Sequence, residues 1–468
     1  MVLLKSFFVF FVVFVQSSFG APSSRKKQDL PKAAYYERIG NSKVFVFKSS
    51  INSTVFSQII GNDKSRKNDD SPFYTVNLGT LVSKFQEWQR EMPRVKPFYS
   101  VKTNNEPVIL STLAALGSGF DCASKNEINM ILGNNKLTTP ENIIFAHTIK
   151  PEKFILHADK MGINKMTFDN EEELYKVKKF HSNPRMVLRI NVSDPTASHK
   201  LGSKFGSNPV TDAPKLLEKA AELGLKVIGI SFHIGSGATK EETYGIGIKY
   251  ARDLFDKGFE LGHNMTLLDI GGGYPGNDTD EEISLQKIAK VVNTALDKYF
   301  PESGNYEIIA EPGRYFATAP VSVTANIVSS VEIKAERITK KPTDSNITAY
   351  SYYLNDGVYG TFACKVADFC PTISSFPLFP KKNQTQYISA VWGPTCSDSD
   401  LIEEQTNLPH MEVGEWLYYP YMGAYSIVLA TDFNGFERAK GYYCIDEKSL
   451  QYIKSRKAAK LDLVSVLF

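Results

Sequence analysis

The sequence predicts a (β/α)8 barrel of the TIM type with a second, antiparallel β domain. From about residue 80 onward, short apolar segments alternate with segments that have apolar residues at helical spacing. Such regular alternation is typical of parallel strands joined by crossover helices. After Arg314 the pattern changes to β-branched and aromatic residues in alternation, separated by Gly, Pro and Asn turns, which indicates antiparallel strands.

The barrel elements can be placed in order along the chain. A first helix is predicted in TLVSKFQEWQREM, where Leu81, Phe85, Trp88 and Met92 recur at helical spacing. Strand candidates follow at 96–101, 120–123, 143–147, 166–169, 186–192, 227–235, 266–273 and 306–313. The segments between them, such as EEELYKVKKF and DAPKLLEKAAELG, have the length and periodicity of helices. Residues 79–318 are therefore assigned to the barrel.

The second domain is predicted from residues 319–460 and from a segment that precedes the barrel. Its strand-forming segments include VSVTANIVSSVEIKAERI, ITAYSYYL, YISAVWG and GEWLYYP. The KVFVFK segment has the same character, so residues 35–78 are expected to contribute to this domain. Within them, residues 57–77 contain the charged run NDKSRKNDD and are expected to form a solvated loop.

The N-terminus has the pattern of a secretory signal peptide over residues 1–20. Lys5 precedes an unbroken apolar stretch, Phe7 to Val15, and polar and small residues follow. This stretch is shorter than the roughly 20 residues that cross a bilayer, so a cleaved signal is favoured over an uncleaved anchor. We therefore expect a secreted or secretory-pathway product without a membrane span after cleavage. Asn-x-Ser/Thr sites agree with that route at Asn52, Asn191, Asn264, Asn277, Asn346 and Asn383.

Composition gives little support to several other classes of protein. The net charge of +3 is dispersed, without the basic face that nucleic-acid binding requires. The 5 cysteines are too few and too scattered for a disulfide scaffold, and no His/Cys spacing argues for zinc. Cys364 and Cys370 can pair if both face one way, but the odd count leaves at least one thiol free.

The chemically distinctive residues fall at the carboxyl ends of the predicted barrel strands, where barrel enzymes hold their active sites. These residues are Lys102, Asp121, Arg189, His233, Gly271, Gly272, Gly273, Glu311 and Arg314. Adjacent glycines let backbone N–H groups approach an anion, and Arg314 can add a bidentate phosphate contact. Each residue alone has an ordinary interpretation, such as a surface lysine or a glycine turn, but their shared location is much stronger evidence.

A phosphate site, a lysine and a carboxylate in one pocket describe a site for pyridoxal 5′-phosphate. Lys102 would form a Schiff base, provided that burial and neighbouring groups lower its pKa enough for the neutral amine to react. Glu311 would pair with the pyridine nitrogen, so that the ring accepts electrons from the substrate. His233 would pack on the face of the ring.

Longer motifs then indicate a family. They are PFYSVKTN, GSGFDCASKNEI, MTFDNEEEL, VLRINVSD, SFHIGSGA, LLDIGGGYPG, AEPGRYFA, YYLNDGVYGTF, WGPTCSDSDLI, MGAYS and FNGF. In this order they resemble the eukaryotic ornithine decarboxylase family, which belongs to the barrel-type (fold III) pyridoxal-phosphate decarboxylases together with bacterial diaminopimelate and arginine decarboxylases. The resemblance extends over nearly all of residues 35–445.

The resemblance implies roles for further residues. Asp121, Glu127 and Arg189 would lie around the cofactor and Lys102, with His233 stacked on the ring. The residues that would hold the phosphate are Ser236, Gly271, Gly272, Gly273, Arg314 and Tyr425.

It also implies a homodimer with shared active sites. Cys396 would be the catalytic thiol and would reach into the site from the partner subunit, which would also supply Phe433. Tyr359 and Asp368 would lie on the substrate side.

The chain departs from the family on that substrate side. Ser397 occupies the position where the family usually has an aspartate that binds the distal ammonium of ornithine. Losing a charge-assisted hydrogen bond costs about 1.5–3 kcal/mol, or about 10- to 150-fold in affinity. Asp398 follows directly and can substitute if the loop shifts. Phe369 replaces a histidine common in ornithine-specific members, an exchange that resembles plant members that also accept lysine.

The expected function is decarboxylation of a small-molecule basic amino acid, L-ornithine to putrescine first and L-lysine to cadaverine second. A catalytically inactive binding protein, like the antizyme inhibitors, is the alternative, although Lys102, Glu311 and Cys396 are all kept. Racemase chemistry is disfavoured because Cys396 lies in a decarboxylase-type GPTC loop. Antizyme regulation is not expected, because the tail lacks the acidic, Ser/Pro-rich degradation segment of the vertebrate enzymes.

Overall fold

The computed structural model describes residues 30–134, 136–277, 283–367, 369–370 and 373–456. The predicted signal peptide and Asp368 therefore lie outside the described residues. Before the barrel, the chain forms β1 (Tyr35–Ile39), β2 (Ser42–Phe47), α1 (Ser53–Arg66), β3 (Phe73–Asn77) and α2 (Leu78–Glu91). Helix α2 is the first helix that the apolar spacing predicts.

Residues 57–77 are not the solvated loop that their charged run predicts. They form most of α1 and all of β3, because Phe56 and Ile60 bury one face of α1 and every residue of β3 is buried. The charges of the run pair locally, as between Lys64 Nζ and Asp69 Oδ2, 2.5 Å apart. Apolar periodicity over a short helix therefore outweighs the local charge density.

Parallel strands close into the predicted barrel. They are β4 (Lys96–Ser100), β5 (Gly119–Cys122), β6 (Ile143–Phe145), β7 (Lys165–Phe168), β8 (Arg185–Ile190), β9 (Lys226–Phe232), β10 (Leu267–Asp269) and β11 (Glu307–Ala310). Pairing of β11 with β4 completes the closure. The (β/α)8 prediction is confirmed.

The barrel interior is filled by side chains, as this architecture requires. One buried apolar cluster is made of Phe98, Ile144, Val187, Ile228, Leu267 and Ile309, each from a barrel strand. The surrounding helices are α3 (Pro107–Leu116), α4 (Lys125–Leu132), α5 (Glu152–Lys160), α6 (Glu171–Phe180), α7 (Ala213–Glu222), α8 (Glu242–Glu260) and α9 (Leu285–Tyr299). A short helix, α10 (Arg314–Ala317), follows β11.

The remaining strands build a ten-stranded sheet together with β1, β2 and β3. They are β12 (Val321–Lys334), β13 (Thr348–Leu354), β14 (Phe376–Pro377), β15 (Gln386–Trp392), β16 (Leu401–Pro409), β17 (Trp416–Tyr419) and β18 (Lys440–Asp446). Helix α11 (Glu336–Thr339) follows β12, and helix α12 (Glu447–Ser455) follows β18. The sheet is mainly antiparallel, although β18 runs parallel to β2 and β3, and β13 runs parallel to β15. The KVFVFK segment forms most of β2 and joins this sheet, as expected.

Two further findings concern the described residues as a set. Among the described helices, none combines the length and apolar character that a bilayer crossing requires. Cys364 and Cys370 form a disulfide, and the other cysteines, Cys122, Cys396 and Cys444, are free.

Candidate active site

Lys102 lies at the mouth of the barrel, in a 3₁₀ turn that directly follows β4. Its Nζ is 2.8 Å from Oδ2 of Asp121 on the neighbouring strand β5. The lysine side chain is 41% exposed, whereas that of Asp121 is 1% exposed. Ser100 Oγ also donates to Asp121 Oδ2, at 2.6 Å. A buried carboxylate therefore holds an amine that remains accessible from the barrel mouth.

The charge state of Lys102 differs from what its expected chemistry needs. The partial burial of Lys102 by itself lowers its pKa, but the carboxylates of Asp121 and Glu311 outweigh this effect and raise the pKa above its usual value. The sequence-based expectation that the pKa of Lys102 is lowered is therefore wrong for the cofactor-free chain, because two nearby carboxylates stabilise the ammonium form. Its proton must leave before the amine can act as a nucleophile.

A second buried lysine, Lys150, gives a useful contrast. Burial lowers the pKa of Lys150 to about 8, although Glu173 opposes the shift. Its Nζ is 2.8 Å from Glu173 Oε1, and both side chains are almost fully buried. The same Nζ donates to the backbone carbonyls of His147 and Thr167. Lys150 is thus enclosed by structural contacts, whereas Lys102 is accessible.

Glu311 follows β11 and lies beside a carboxylate that the sequence analysis did not assign, Asp269. Burial raises the pKa of Glu311 well above its usual range, and the charges of Asp269 and Asp121 raise it further. Burial likewise raises the pKa of Asp269 to about 7. Two buried carboxylates thus share one end of the site, and the pair retains a proton near neutral pH. The available sequence signal for Asp269 was its place at the end of the strand LLD, two residues before the glycine triplet.

His233 follows β9, and the backbone fixes its tautomer. Gly235 N–H donates to His233 Nδ1 at 3.0 Å, so the proton of the neutral ring is on Nε2. Burial lowers the pKa of His233 well below its usual range, and the charges of Arg189 and Lys102 add to this effect. The ring is therefore neutral and offers a flat, uncharged face.

The glycine triplet after β10 permits close packing at this point. A Cβ at Gly272 would lie 2.7 Å from His233 Nε2 and 2.9 Å from the Glu311 carbonyl oxygen. Gly271 has a φ of +63°, and a Cβ there would lie 2.0 Å from the Phe232 carbonyl oxygen. A side chain at Gly272 would push His233 and Glu311 apart, and one at Gly271 would collide with the backbone of Phe232, so both positions favour glycine.

A small cavity of about 40 Å³ lies next to the triplet. Ser236, Gly273 and Arg314 are among its lining residues. Arg314 Nη2 is 3.4 Å from Ser236 Oγ, and the guanidinium carbon is 5.4 Å from the centre of the Tyr425 ring. A guanidinium, a hydroxyl and glycine backbone in one concavity suit a phosphate group.

The sheet domain reaches the barrel mouth through Tyr425. Its backbone N–H donates to the Thr103 carbonyl at 2.9 Å, one residue after Lys102. Nearby, Asn104 Nδ2 donates to the Gly423 carbonyl at 2.8 Å. The predicted phosphate residue Tyr425 is thus held beside the lysine segment although it is far away in sequence.

Arg189 and Glu127 also lie at the mouth. The Arg189 guanidinium is 5.1 Å from the Phe205 ring centre, and its charge acts on His233, Asp269 and Glu311. Glu127 Oε2 accepts from Ala123 N–H at 2.5 Å. Burial raises the pKa of Glu127, and the Asp121 charge contributes to this shift.

The expected substrate residues form a second cluster. Tyr359 Oη and Ser397 Oγ are 2.9 Å apart, and the Tyr359 and Phe433 ring centres are 4.5 Å apart. Cys396 is exposed, and its N–H donates to Asn434 Oδ1 at 3.1 Å. In the described part of the chain these contacts are within the cluster and not with Lys102 or Glu311.

Two further substrate candidates lie elsewhere. Asp398 is exposed on the same loop, where it accepts from Ser399 Oγ at 3.4 Å. Phe369 lines the phosphate-sized cavity, with its ring centre 4.3 Å from that of Tyr425. Phe369 is therefore grouped with the expected phosphate residues.

Both domains of the chain match models of one known protein family. Residues 78–318 match the family model for the pyridoxal binding domain of pyridoxal-dependent decarboxylases, and residues 323–423 match the C-terminal sheet domain of the same family. The chain belongs to this family. This pyridoxal-dependent decarboxylase is 49% identical to the ornithine decarboxylase of Panagrellus redivivus over 89% of this chain and 95% of that protein. It is also 42% identical to antizyme inhibitor 2 of Xenopus laevis over 82% of this chain and 83% of that protein.

The solved structures that this chain resembles include decarboxylases of basic amino acids. The arginine decarboxylase of Paramecium bursaria Chlorella virus, bound to agmatine, has a TM-score of 0.75 and 34% identity, with 84% of this chain and 100% of that chain covered. The lysine/ornithine decarboxylase of Vibrio vulnificus, complexed with cadaverine, has a TM-score of 0.72 and 27% identity, with 84% of this chain and 97% of that chain covered.

The site of this decarboxylase fits pyridoxal 5′-phosphate on its own chemistry. Buried oxygens without a hydrogen-bond partner among the described residues include Asp121 Oδ1, Asp269 Oδ2 and Thr103 Oγ1. Such atoms are costly to bury unless a ligand or water satisfies them. Lys102 would hold the aldehyde end of the cofactor, Glu311 the ring nitrogen, and the cavity at Arg314 the phosphate. When bound, the cofactor supplies an electron sink for the bond that breaks at the substrate α-carbon.

Proposed function

We propose that this decarboxylase converts L-ornithine to putrescine, with L-lysine to cadaverine as a second activity. The single observation that carries the chemistry is the accessible amine of Lys102 held at 2.8 Å by buried Asp121. The substrate assignment follows the relatives named ornithine decarboxylase and the neighbour named lysine/ornithine decarboxylase. Such an activity would place the protein in polyamine biosynthesis.

Different residues of the site would have different roles in the reaction. Lys102 would hold the cofactor through its amine, and Asp121, 2.8 Å from Nζ, is placed to take or return the proton of that amine. His233, neutral and flat, would support one face of the ring. Glu311 and Asp269, whose pKa values are both raised by burial, would hold a proton beside the ring nitrogen of the cofactor. Cys396, exposed and free, would deliver a proton to the substrate carbon after CO2 leaves.

We further propose that the altered substrate loop relaxes the choice of amino acid. Ser397 offers only a neutral hydroxyl, already 2.9 Å from Tyr359 Oη, where the family usually has a carboxylate. A hydroxyl cannot form the charge-assisted hydrogen bond by which a carboxylate would hold the distal ammonium of the substrate. The position of that ammonium, and so the length of the substrate, is then less strictly selected. The test is to measure CO2 release from ornithine, lysine, arginine and diaminopimelate. Turnover of ornithine alone would refute the relaxed choice, and turnover of none would refute the proposed activity.

A head-to-tail homodimer would complete the site. The cluster of Cys396, Ser397, Tyr359 and Phe433, in which Cys396 and Phe433 are exposed, has the expected substrate-side residues but makes no contact with Lys102 in the described part of the chain. A second copy could bring its cluster to the first copy's lysine, so that each site uses both chains. Sedimentation of the holoprotein as a monomer with full activity would contradict this arrangement.

Export through the secretory pathway is a separate proposal. It rests on the apolar stretch that follows Lys5 and on sequons whose asparagines are exposed, namely Asn52, Asn264, Asn346 and Asn383. Asn191 is half-buried and its Nδ2 donates to the Gly202 carbonyl, so it would remain unmodified. Expression in a secreting eukaryotic host, with N-terminal sequencing and glycosidase treatment of the medium, tests the proposal. A product that stays inside the cell with Met1 intact would refute it.

A non-catalytic role like that of an antizyme inhibitor is the second candidate. The observation in its favour is the similarity to the Xenopus laevis antizyme inhibitor 2. Against it stand the groups brought together at the barrel mouth, including Lys102, Asp121 and Glu311. Visible absorbance of the cofactor-loaded protein together with CO2 release would favour the enzyme, and absence of both would favour the binding protein.

A further inference from the structure

Phe369 lies in the middle of an aromatic stack that borders the phosphate-sized cavity. Its ring centre is 4.4 Å from that of His199, with the ring planes 19° apart, and 4.3 Å from that of Tyr425, with the planes 22° apart. Stacked rings at these distances attract each other beyond the burial of their area. The side chain of Phe369 is therefore held on both faces.

The backbone of Phe369 in turn holds Arg314. Arg314 Nη1 donates to the Phe369 carbonyl at 2.8 Å, and Nη2 approaches Ser236 Oγ at 3.4 Å. A hydrogen bond from a charged donor is short and directional. The Phe369 carbonyl is thus one of the contacts that orient the guanidinium at the wall of the cavity.

His199 connects the same wall to the barrel. His199 and Ser236 exchange a pair of backbone hydrogen bonds, at 3.1 and 3.2 Å. His199 Nε2 is 3.3 Å from the Ala367 carbonyl, two residues before Phe369. His199, in the loop after β8, therefore contacts both Ser236 and the segment that contains Phe369.

The Cys364–Cys370 disulfide holds the segment that contains Phe369. Cys370 directly follows Phe369 and is bonded to Cys364, which is buried. The Phe369 N–H also donates to the Cys364 carbonyl at 2.8 Å. A covalent bond and a backbone hydrogen bond thus hold Phe369 to one buried anchor.

We propose that Phe369 is a cofactor-positioning residue, held by the Cys364–Cys370 disulfide so that its carbonyl aims Arg314 at the cofactor phosphate. On this account Phe369 acts on the retention of a phosphomonoester and not on the choice between ornithine and lysine. The inference rests on the pyridoxal 5′-phosphate site. It is independent of which amino acid is decarboxylated.

The test compares binding of pyridoxal 5′-phosphate and of pyridoxal, which lacks the phosphate, to the cofactor-free protein. The variants are Cys370→Ser, which removes the disulfide, and Phe369→Leu, which removes the stack and keeps the backbone carbonyl. We expect each to raise the Kd for pyridoxal 5′-phosphate about ten-fold, the size expected when a charge-assisted contact is weakened. The Kd for pyridoxal should change by less than about two-fold, which is within ordinary context dependence.

Control variants separate positioning from general damage. Phe369→Tyr retains the stack and should keep the wild-type Kd, and Cys444→Ser removes a buried free thiol in the sheet and should do the same. At saturating cofactor, the ornithine-to-lysine ratio of kcat/KM should be unchanged in Phe369→Leu. Equal weakening of both ligands, or an altered substrate ratio with an unchanged Kd, would overturn the proposal. If the wild-type protein bound neither ligand, the cofactor site itself would be wrong.

Discussion

Lys102, in the turn after β4, and Asp121, on the neighbouring strand β5, have Nζ and Oδ2 2.8 Å apart, and the carboxylate is almost fully buried. The pair holds the lysine in its ammonium form, because Asp121 and Glu311 outweigh the effect of burial on the pKa. The amine is therefore positioned for the cofactor but must first lose a proton. This relationship makes the loading of cofactor dependent on pH.

Replacing Asp121 should change that dependence. In Asp121→Asn the carboxylate charge is gone, so the pKa of Lys102 falls and cofactor attachment should reach its midpoint at lower pH than in the wild type. The visible absorbance of the attached cofactor, followed from pH 6 to 10, measures the midpoint. Asp297→Asn, at an exposed carboxylate outside the site, is the matched control. An unchanged midpoint in Asp121→Asn would show that this ion pair does not control the lysine.

The two buried carboxylates predict how the stability of the cofactor-free protein varies with pH. Burial raises the pKa of Asp269 from 3.8 to about 7, so the folded chain binds this proton more tightly than the unfolded chain. Stability from this group is present below the unfolded pKa and is lost as pH rises through about 7. We expect Tm to fall over this range and the fall to be smaller in Asp269→Asn, in which Oδ1 can still accept from Gly271 N–H. An undiminished fall in that variant would exclude Asp269 as its source.

Much of the fold followed from periodicity in the sequence, because parallel barrel strands and their helices repeat at short, regular intervals. The helix α1 was missed because its charged residues masked a buried face formed by Phe56 and Ile60. Lys102, His233 and Glu311 were predictable, since each ends a strand. Asp269 went unassigned although it is the last residue of β10, because its place beside Glu311 comes from the pairing of β10 with β11 and not from any spacing in the sequence. The His199–Phe369 stack joins two segments far apart in sequence, which no local pattern reveals.

Restoring a carboxylate at position 397 should sharpen substrate choice. Ser397→Asp is expected to raise kcat/KM for ornithine relative to lysine by about 10-fold or more, because a charge-assisted bond to the distal ammonium contributes about 1.5–3 kcal/mol. Initial rates of CO2 release with each amino acid give the ratio. Ser399→Asp places the same charge two residues away and should leave it unchanged. Equal ratios in Ser397→Asp and the wild type would remove position 397 from substrate selection.

Mixed dimers test whether the site is shared between chains. Lys102→Ala and Cys396→Ala should each be almost inactive, yet an equal mixture that exchanges subunits should recover about a quarter of wild-type activity, since half of the dimers would have one intact site. Mixing Lys102→Ala with Lys102→Arg provides the control and should recover none. No recovery in the first mixture, with exchange verified by mass, would place both residues in the same chain's site.

The most direct test of the account is to find which lysine binds the cofactor. Protein loaded with pyridoxal 5′-phosphate is reduced with borohydride, digested, and mapped by mass spectrometry. The account predicts a pyridoxyl group on Lys102 and its loss, together with the loss of CO2 release, in Lys102→Ala. A pyridoxyl group on another lysine, such as the buried Lys150, or full decarboxylase activity in Lys102→Ala, would contradict it.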